Sequence, residues 1–181
     1  NSLYKMTELQ TTFHLNMIAL VDGIQPRLLN IKTILEEFIK HRKEIIRRRT
    51  EFDLDKTKER AHILEGLKKA LDKIDLIIAL IRKSKDKEEA KLNLMAKFKF
   101  TDRQAVAILE MKLQQLANLE KKKIEDELKE KHDLIKELEA LLASAKKILD
   151  VVKKEVTEIK EKYGEERRTQ IISHGVKEFS T

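Results

Sequence analysis

Cysteine and tryptophan are absent from this 181-residue chain, proline occurs once, at Pro26, and there are four glycines. Without cysteine there is no disulfide, no thiolate metal site and no cysteine nucleophile, a composition that suits a reducing compartment. With so few helix breakers, long uninterrupted helices are the default. No apolar run approaches the length needed to cross a bilayer and the first residues carry no signal peptide, so the expectation is a soluble protein with no membrane partner. There is no glycine-rich phosphate loop, no H-E-x-x-H and no nucleophile elbow. The histidines His14, His41, His62, His132 and His174 include no pair four apart on one helix, and His62, beside Ile63, reads as a helix-packing residue rather than a ligand. Neither Tyr4 nor Tyr163 sits where a nucleophile would be activated. No catalytic, cofactor-binding or metal-binding residue is expected. Beginning at Asn1 rather than at Met, the chain reads as a piece of something larger.

What is present is charge and helix period. Charged residues make up 39% and hydrophobic residues 41% of the sequence, against 4% aromatics. Thirty-nine Lys and Arg face 32 Asp and Glu, a net charge of +7. That balance is compatible with a nucleic-acid partner, although both signs are interspersed along nearly every helix face.

The chain is organised around Ile31 to Arg82. Ile34, Phe38, Ile45, Phe52, Ile63, Leu67, Leu71, Ile74 and Ile78 recur mostly every three or four positions, the period of an α-helix. Ahead of it, Ser2 to Leu9 can form one or two helical turns. Thr12 to Val21 and Ile24 to Leu29 read as a β-hairpin turning at Asp22-Gly23, with Pro26 tolerable only at an edge. A lone hairpin is marginal, so it should pack on something further. Asn30 can cap the long helix, which is expected to run to about Ile81. On a wheel centred on Phe38, Ile45 and Phe52, Arg42 and Arg49 flank the apolar line and should reach acidic residues of a partner helix. Lys40, Lys43 and Arg47 point the other way, as a solvated face or a DNA-facing one.

Arg82 to Glu89 reads as a charged connector, Lys91 to Met95 as a short helix, and Asp102 to Met111 as another capped by Thr101. The tip from Ile74 to Leu116 holds more apolar side chains, Leu113 among them, than a small helical knob can hide, so part of the set should be covered by another chain. Leu92, Met95, Phe98, Phe100, Ile108 and Met111 are the expected patch, its methionines suited to an interface that repacks. A return helix follows, with Leu119, Ile124, Leu128, Ile135, Leu138 and Leu142 in its stripe. If the bend is centred near residue 93, it lies antiparallel to the outgoing helix and brings Glu137 or Glu139 to Arg49. Ser144 can break and recap the chain, and a last helix should end at Gly164 in a left-handed stop. The expected fold class is mainly α: a long antiparallel coiled-coil arm with a small all-helical globular tip and a short N-terminal β-hairpin at the base. The divisions are 1–30 base, 31–73 outgoing helix, 74–116 tip, 117–142 return helix, 144–164 C-terminal helix and 165–181 tail.

Several words of the sequence resemble the coiled-coil region of the DNA gyrase A-subunit family: Leu3-Tyr4-Lys5-Met6-Thr7-Glu8-Leu9-Gln10, Asn16-Met17-Ile18-Ala19-Leu20, the run from His41 to Thr50, that from Arg60 to Leu67, that from Gln104 to Gln114, and Tyr163-Gly164-Glu165-Glu166-Arg167-Arg168-Thr169. They span almost the whole chain, and the topoisomerase IV counterpart shares several of them. The resemblance implies the lower part of the breakage-reunion domain of a type IIA DNA topoisomerase: an arm carrying the exit gate, or C-gate, that pairs across a two-fold axis and releases a transported duplex during ATP-dependent supercoiling. It implies a cytoplasmic homodimer, a gyrase B-subunit partner in an A2B2 complex, and double-stranded DNA. The nucleophilic tyrosine of the family lies upstream, and Tyr4 and Tyr163 do not match its motif. Mg and ATP would act through the B subunit, with no cofactor in this chain. The alternatives are the equivalent region of topoisomerase IV, a free-standing coiled-coil scaffold, or a DNA-binding hairpin.

Overall fold

In the computed structural model the described residues are 2–9, 11–111 and 118–171, with the side chains of Tyr4 and of residues 118–120 excepted. Leu113, the end of the Gln104–Gln114 word, the Leu119 side chain, His174 and the last ten residues of the expected tail lie outside them. The fold is mainly helical, with one small antiparallel sheet: α1 (Ser2–Met6), β1 (Ile18–Val21), β2 (Gln25–Leu28), α2 (Ile31–Leu71), α3 (Ile74–Lys83), α4 (Lys87–Phe98), α5 (Asp102–Leu109), α6 (Asn118–Leu142) and α7 (Ala145–Tyr163). Its contacts divide it into two units, Asn1–Lys43 with Val151–Thr181, and Glu44–Asp150.

In the first unit the hairpin pairs Ile18 with Leu28 and Leu20 with Pro26. Asp22 and Gly23 both have positive φ, 54° and 73°, the backbone that a tight hairpin turn needs and that Asp-Gly adopts readily. Ile18, Leu20, Ile24 and Leu28 are all more than half exposed. Asn30 caps α2, its Oδ1 accepting from the backbone N–H of Thr33 at 2.8 Å. Arg42 donates to Glu155 of α7, the cross-helix acidic contact expected of it.

In the second unit α2 does not continue to Ile81. It stops at Leu71, and α3 restarts at Ile74 without a side-chain cap. No glycine or proline marks the break. The turn lets Ile77 and Leu80 fold back onto Ala70, so tertiary packing decides it. The expected connector from Arg82 to Glu89 is mostly helix, because Asp86 accepts from Glu89 N–H at 2.7 Å and starts α4. Glu and Lys are good helix formers once capped. Lys99, at φ 56°, ends α4 in the left-handed region, and Thr101 with Gln104 forms a capping box that opens α5.

The seam of α2 also differs from expectation. Its buried residues are Ile46, Thr50, Leu54, Thr57, Ala61 and Leu64, while Phe52 is 61% exposed. At 100° per residue this stripe lies roughly opposite Phe52. Thr50 and Thr57 can line it because their hydroxyls donate to the carbonyls of Ile46 and Asp53 at 2.7 and 2.6 Å, which leaves their methyl groups for packing. Across the seam α6 runs antiparallel, with Leu128 packed on Ala61 and Leu64, and Ile124 and Ile135 beside them. Arg60 makes a two-pronged bond to Glu127 at 2.7 and 2.9 Å. Glu139 pairs with Lys58 at 2.7 Å. An ion pair between Asp72 and Lys121, at 2.7 Å, joins the outgoing chain to α6 again at the knob end.

α7 starts at Ser144, whose hydroxyl accepts from Lys147 N–H at 3.4 Å. Its end has no left-handed stop. Gly164 lacks a positive φ, and its N–H closes on Lys160 O at 2.7 Å. The helix end is exposed, so water can serve the last carbonyls that a left-handed cap would otherwise satisfy.

Candidate dimer interface and DNA-facing residues

α3, α4, α5 and the end of α2 form a knob around Ala70, Ile77, Leu80, Leu94, Phe100, Ala105 and Ile108, with Leu67, Ile81, Met95, Phe98 and Leu109 packed against it. This locates the six residues of the expected patch. Phe100 and Ile108 are 4% and 6% exposed and belong to the core. Met95, Phe98 and Met111 are half-buried, and Leu92 is 61% exposed. Phe98 stacks on Phe100 with ring centroids 6.0 Å apart, so it touches both core and surface. Only the outer members can meet another molecule, and the buried two support them from beneath.

Two surface features were not singled out in the sequence. Leu76, on α3, is 64% exposed. Ile74, Ile77, Ile78, Ile81, Ile108, Leu109 and Met111, with Arg82 at the rim, line an apolar cleft of about 400 Å³. The signal was the run Ile74-Asp75-Leu76-Ile77-Ile78-Ala79-Leu80-Ile81, apolar almost all the way round a helix; such a helix packs on more than one side.

Lys40, Lys43 and Arg47 are all exposed. Lys40 lies 3.8 Å from Asp22 and 3.4 Å from Glu37, and Arg47 bonds Glu51 at 3.0 Å. The Arg47 guanidinium is held above its ordinary value, chiefly by that hydrogen bond. Two of these cations therefore already have acidic neighbours that a phosphate would have to displace.

Ion pairs fasten the second unit. Arg103 of α5 bonds Glu59 of α2 at 2.6 Å, and Lys91 of α4 reaches Asp102 at 2.8 Å. The hydrogen bond from Arg103 holds the Glu59 carboxyl below its ordinary 4.5; that from Arg60 does the same to Glu127, and that from Lys121 to Asp72, whose ordinary value is 3.8. Lys91 and Lys121 are raised above 10.5, chiefly by their hydrogen bonds to Asp102 and Asp72. Depressed carboxylates contribute stability that is complete above their unfolded values and is lost as pH falls through the folded ones. Raised lysines contribute below 10.5 and lose it as pH rises through their folded values. The melting temperature of the chain should therefore be flat through neutral pH and fall below about pH 4 and above about pH 11. Each exposed pair is worth little because water screens it, so high salt should lower the neutral plateau only slightly. A melting temperature that rises on acidification through about pH 4 would contradict this reading.

Among the described residues no group of three or more His, Asp or Glu is arranged to hold a metal ion, and no helix is long and apolar enough to cross a membrane.

A family model for the A subunit of DNA gyrase/topoisomerase IV matches residues 1–157. The DNA gyrase A subunit of Clostridium acetobutylicum is 57% identical over 171 residues, 94% of this chain. Those of Staphylococcus epidermidis and Staphylococcus aureus are 51% and 48% identical over 179 residues, 99% of this chain. In each case the chain spans 20% of the relative's length. With a family model over most of its length and relatives near 50% identity, this chain belongs to the family of DNA gyrase/topoisomerase IV A subunits.

Proposed function

We propose that this chain is the exit-gate segment of a gyrase-type A subunit. Its knob pairs with the knob of a second copy across a two-fold axis, and the paired gate encloses and then releases the transported duplex during ATP-dependent supercoiling. The chain itself performs no chemistry: strand cleavage lies elsewhere in the parent protein, and ATP and Mg act through the B subunit of an A2B2 assembly. Gyrase is preferred to topoisomerase IV because the relatives described above, 48% to 57% identical, are gyrase A subunits. The carrying observation is a knob whose core is already closed yet which presents Leu76, Leu92 and an apolar cleft to solvent. A projection beside a hollow can form a self-complementary face, and two-fold pairing is the commonest way to close one. Burial of about 800 Å² per copy would make a stable but separable interface.

Leu76→Asp with Leu92→Asp tests this. Both side chains are exposed, so helicity by circular dichroism should be unchanged while sedimentation equilibrium shows monomer. A persistent dimer would remove these residues from the interface. For the second partner, a short labelled duplex should bind weakly, steeply with salt and without sequence preference, as phosphate contacts dictate. Changing Lys40, Lys43 and Arg47 together to Glu should weaken it at least several-fold, as the loss of three phosphate contacts requires. Unaltered anisotropy would leave these cations as a solvated face.

A further inference from the structure

The two edges of the hairpin are not alike. Leu29 N–H donates to Met17 O at 2.9 Å, so these two residues form a hydrogen-bonded pair, and the register that sets Ile18 opposite Leu28 makes the pairs alternate from there. Ala19 with Arg27 and Val21 with Gln25 then bond across the hairpin, while Ile18, Leu20, Pro26 and Leu28 turn their backbone groups outward. On the β2 side Pro26 has no N–H to offer, which spoils that edge as a template for another strand. On the β1 side Ile18 and Leu20 present both donors and acceptors. Among the described residues no hydrogen bond reaches that edge.

The two faces differ as well, since residues opposite each other in a ladder point to the same side of the sheet. Met17, Val21 and Leu29, on one side, are half-buried. Ile18, Leu20 and Leu28, on the other, are 61%, 63% and 72% exposed, and Pro26 beside them is exposed too. A free edge and a bare apolar face therefore meet at β1. Charged side chains, Lys above all, ordinarily keep a sheet edge from pairing, and Ile18-Ala19-Leu20-Val21 carries none.

We infer that β1 receives a further strand from the part of the A subunit that lies outside this chain, and that the body of that part covers Ile18, Leu20 and Leu28. The chain spans 20% of the length of its relatives, which leaves four-fifths of each to provide such a body. A second copy of the chain is a poorer occupant. Two β1 strands could pair edge to edge, but extending a sheet sideways covers neither face, so the apolar side chains of both copies would stay in water. A two-stranded hairpin is marginal alone. A third strand with an apolar layer over it makes the hairpin a fixed base for α2, which follows β2 after Leu29 and Asn30. This holds whether or not the knob is a gate.

Residue-resolved hydrogen exchange of the full-length A subunit, compared with this chain alone, tests the edge. In the chain alone the Ile18 and Leu20 amides should exchange freely. In the full-length subunit without a B subunit they should slow by about a hundredfold, as amides drawn into a cooperative sheet do, while the Leu28 amide, on the edge that Pro26 closes, slows far less. No slowing at Ile18 and Leu20, or equal slowing at Leu28, would overturn the choice of edge. Slowing already present in the chain alone would point to a second copy, and slowing that appears only when the B subunit is added would point to that subunit; either would overturn the occupant. Ile18→Ser with Leu28→Ser tests the face. The pair should lower the melting temperature of the full-length subunit by several degrees and leave that of the chain alone unchanged, because both side chains are exposed there. An equal fall in both, or no fall in the full-length subunit, would overturn the covered face.

Discussion

Gly66→Ala is expected to destabilise the chain by about 2 kcal/mol, although the same exchange in an ordinary helix interior stabilises by about 1 kcal/mol. The sign reverses because of Gln104. Its Cβ, Cγ and Cδ would all lie under 3.0 Å from the new methyl group, and one of those atoms is fixed to the α5 backbone, so the contact cannot be relieved by swinging a flexible end. The chain must either part α5 from α2 or give up the Gln104 bond to the His62 carbonyl. Chemical denaturation followed by circular dichroism gives the number. In a Gln104→Ala background two of the three contacts are gone, so the cost of Gly66→Ala should shrink. An alanine that raises stability in the otherwise native chain would mean that the close approach is not there.

Leu64→Ala should cost about 3 kcal/mol, as expected for a large cavity in a closed core, whereas Phe52→Ala should fall within about 0.5 kcal/mol of the parent. Both residues lie on α2 and both are strongly apolar. Leu64 is fully buried against Ala61 and Leu128, while Phe52 is 61% exposed with the Lys56 ammonium 5.7 Å from its ring centroid. Denaturation of the two variants side by side tests where the seam runs. Similar losses from both would put the aromatic line back in the interface.

That contrast also shows what could be read in advance. The helix period, the Asn30 and Thr101 caps, the Asp22-Gly23 turn and the break at Ser144 are local chemistry, and each follows from a residue type at a position. The face on which α2 packs was not legible from apolar spacing, because half the seam consists of Thr50, Thr57 and Ala61, which a hydrophobic count passes over, while Phe38 and Phe52 attract it. The stop at Leu71 had no breaker to announce it, since it is made by Ile77 and Leu80 folding back onto Ala70. For the candidate interface, richness in apolar residues was legible, but which of them face outward was not. Phe100 and Ile108 close the core, and Leu76 projects. Composition fixes how much apolar surface a knob has to hide; only the crossing of α3, α4 and α5 decides which side chains are left over. The joint at Gly66 was hidden for the same reason, since a glycine in mid-helix is informative only when its neighbour across the crossing is known.

A knob that needs a second copy of itself must pair in solution, and sedimentation equilibrium of the unmodified chain at about 10 μM, a concentration at which an interface of ordinary size is populated, tests that most directly. A mass twice the 21.2 kDa of the chain is the predicted result. A single monomeric species at that concentration would contradict it.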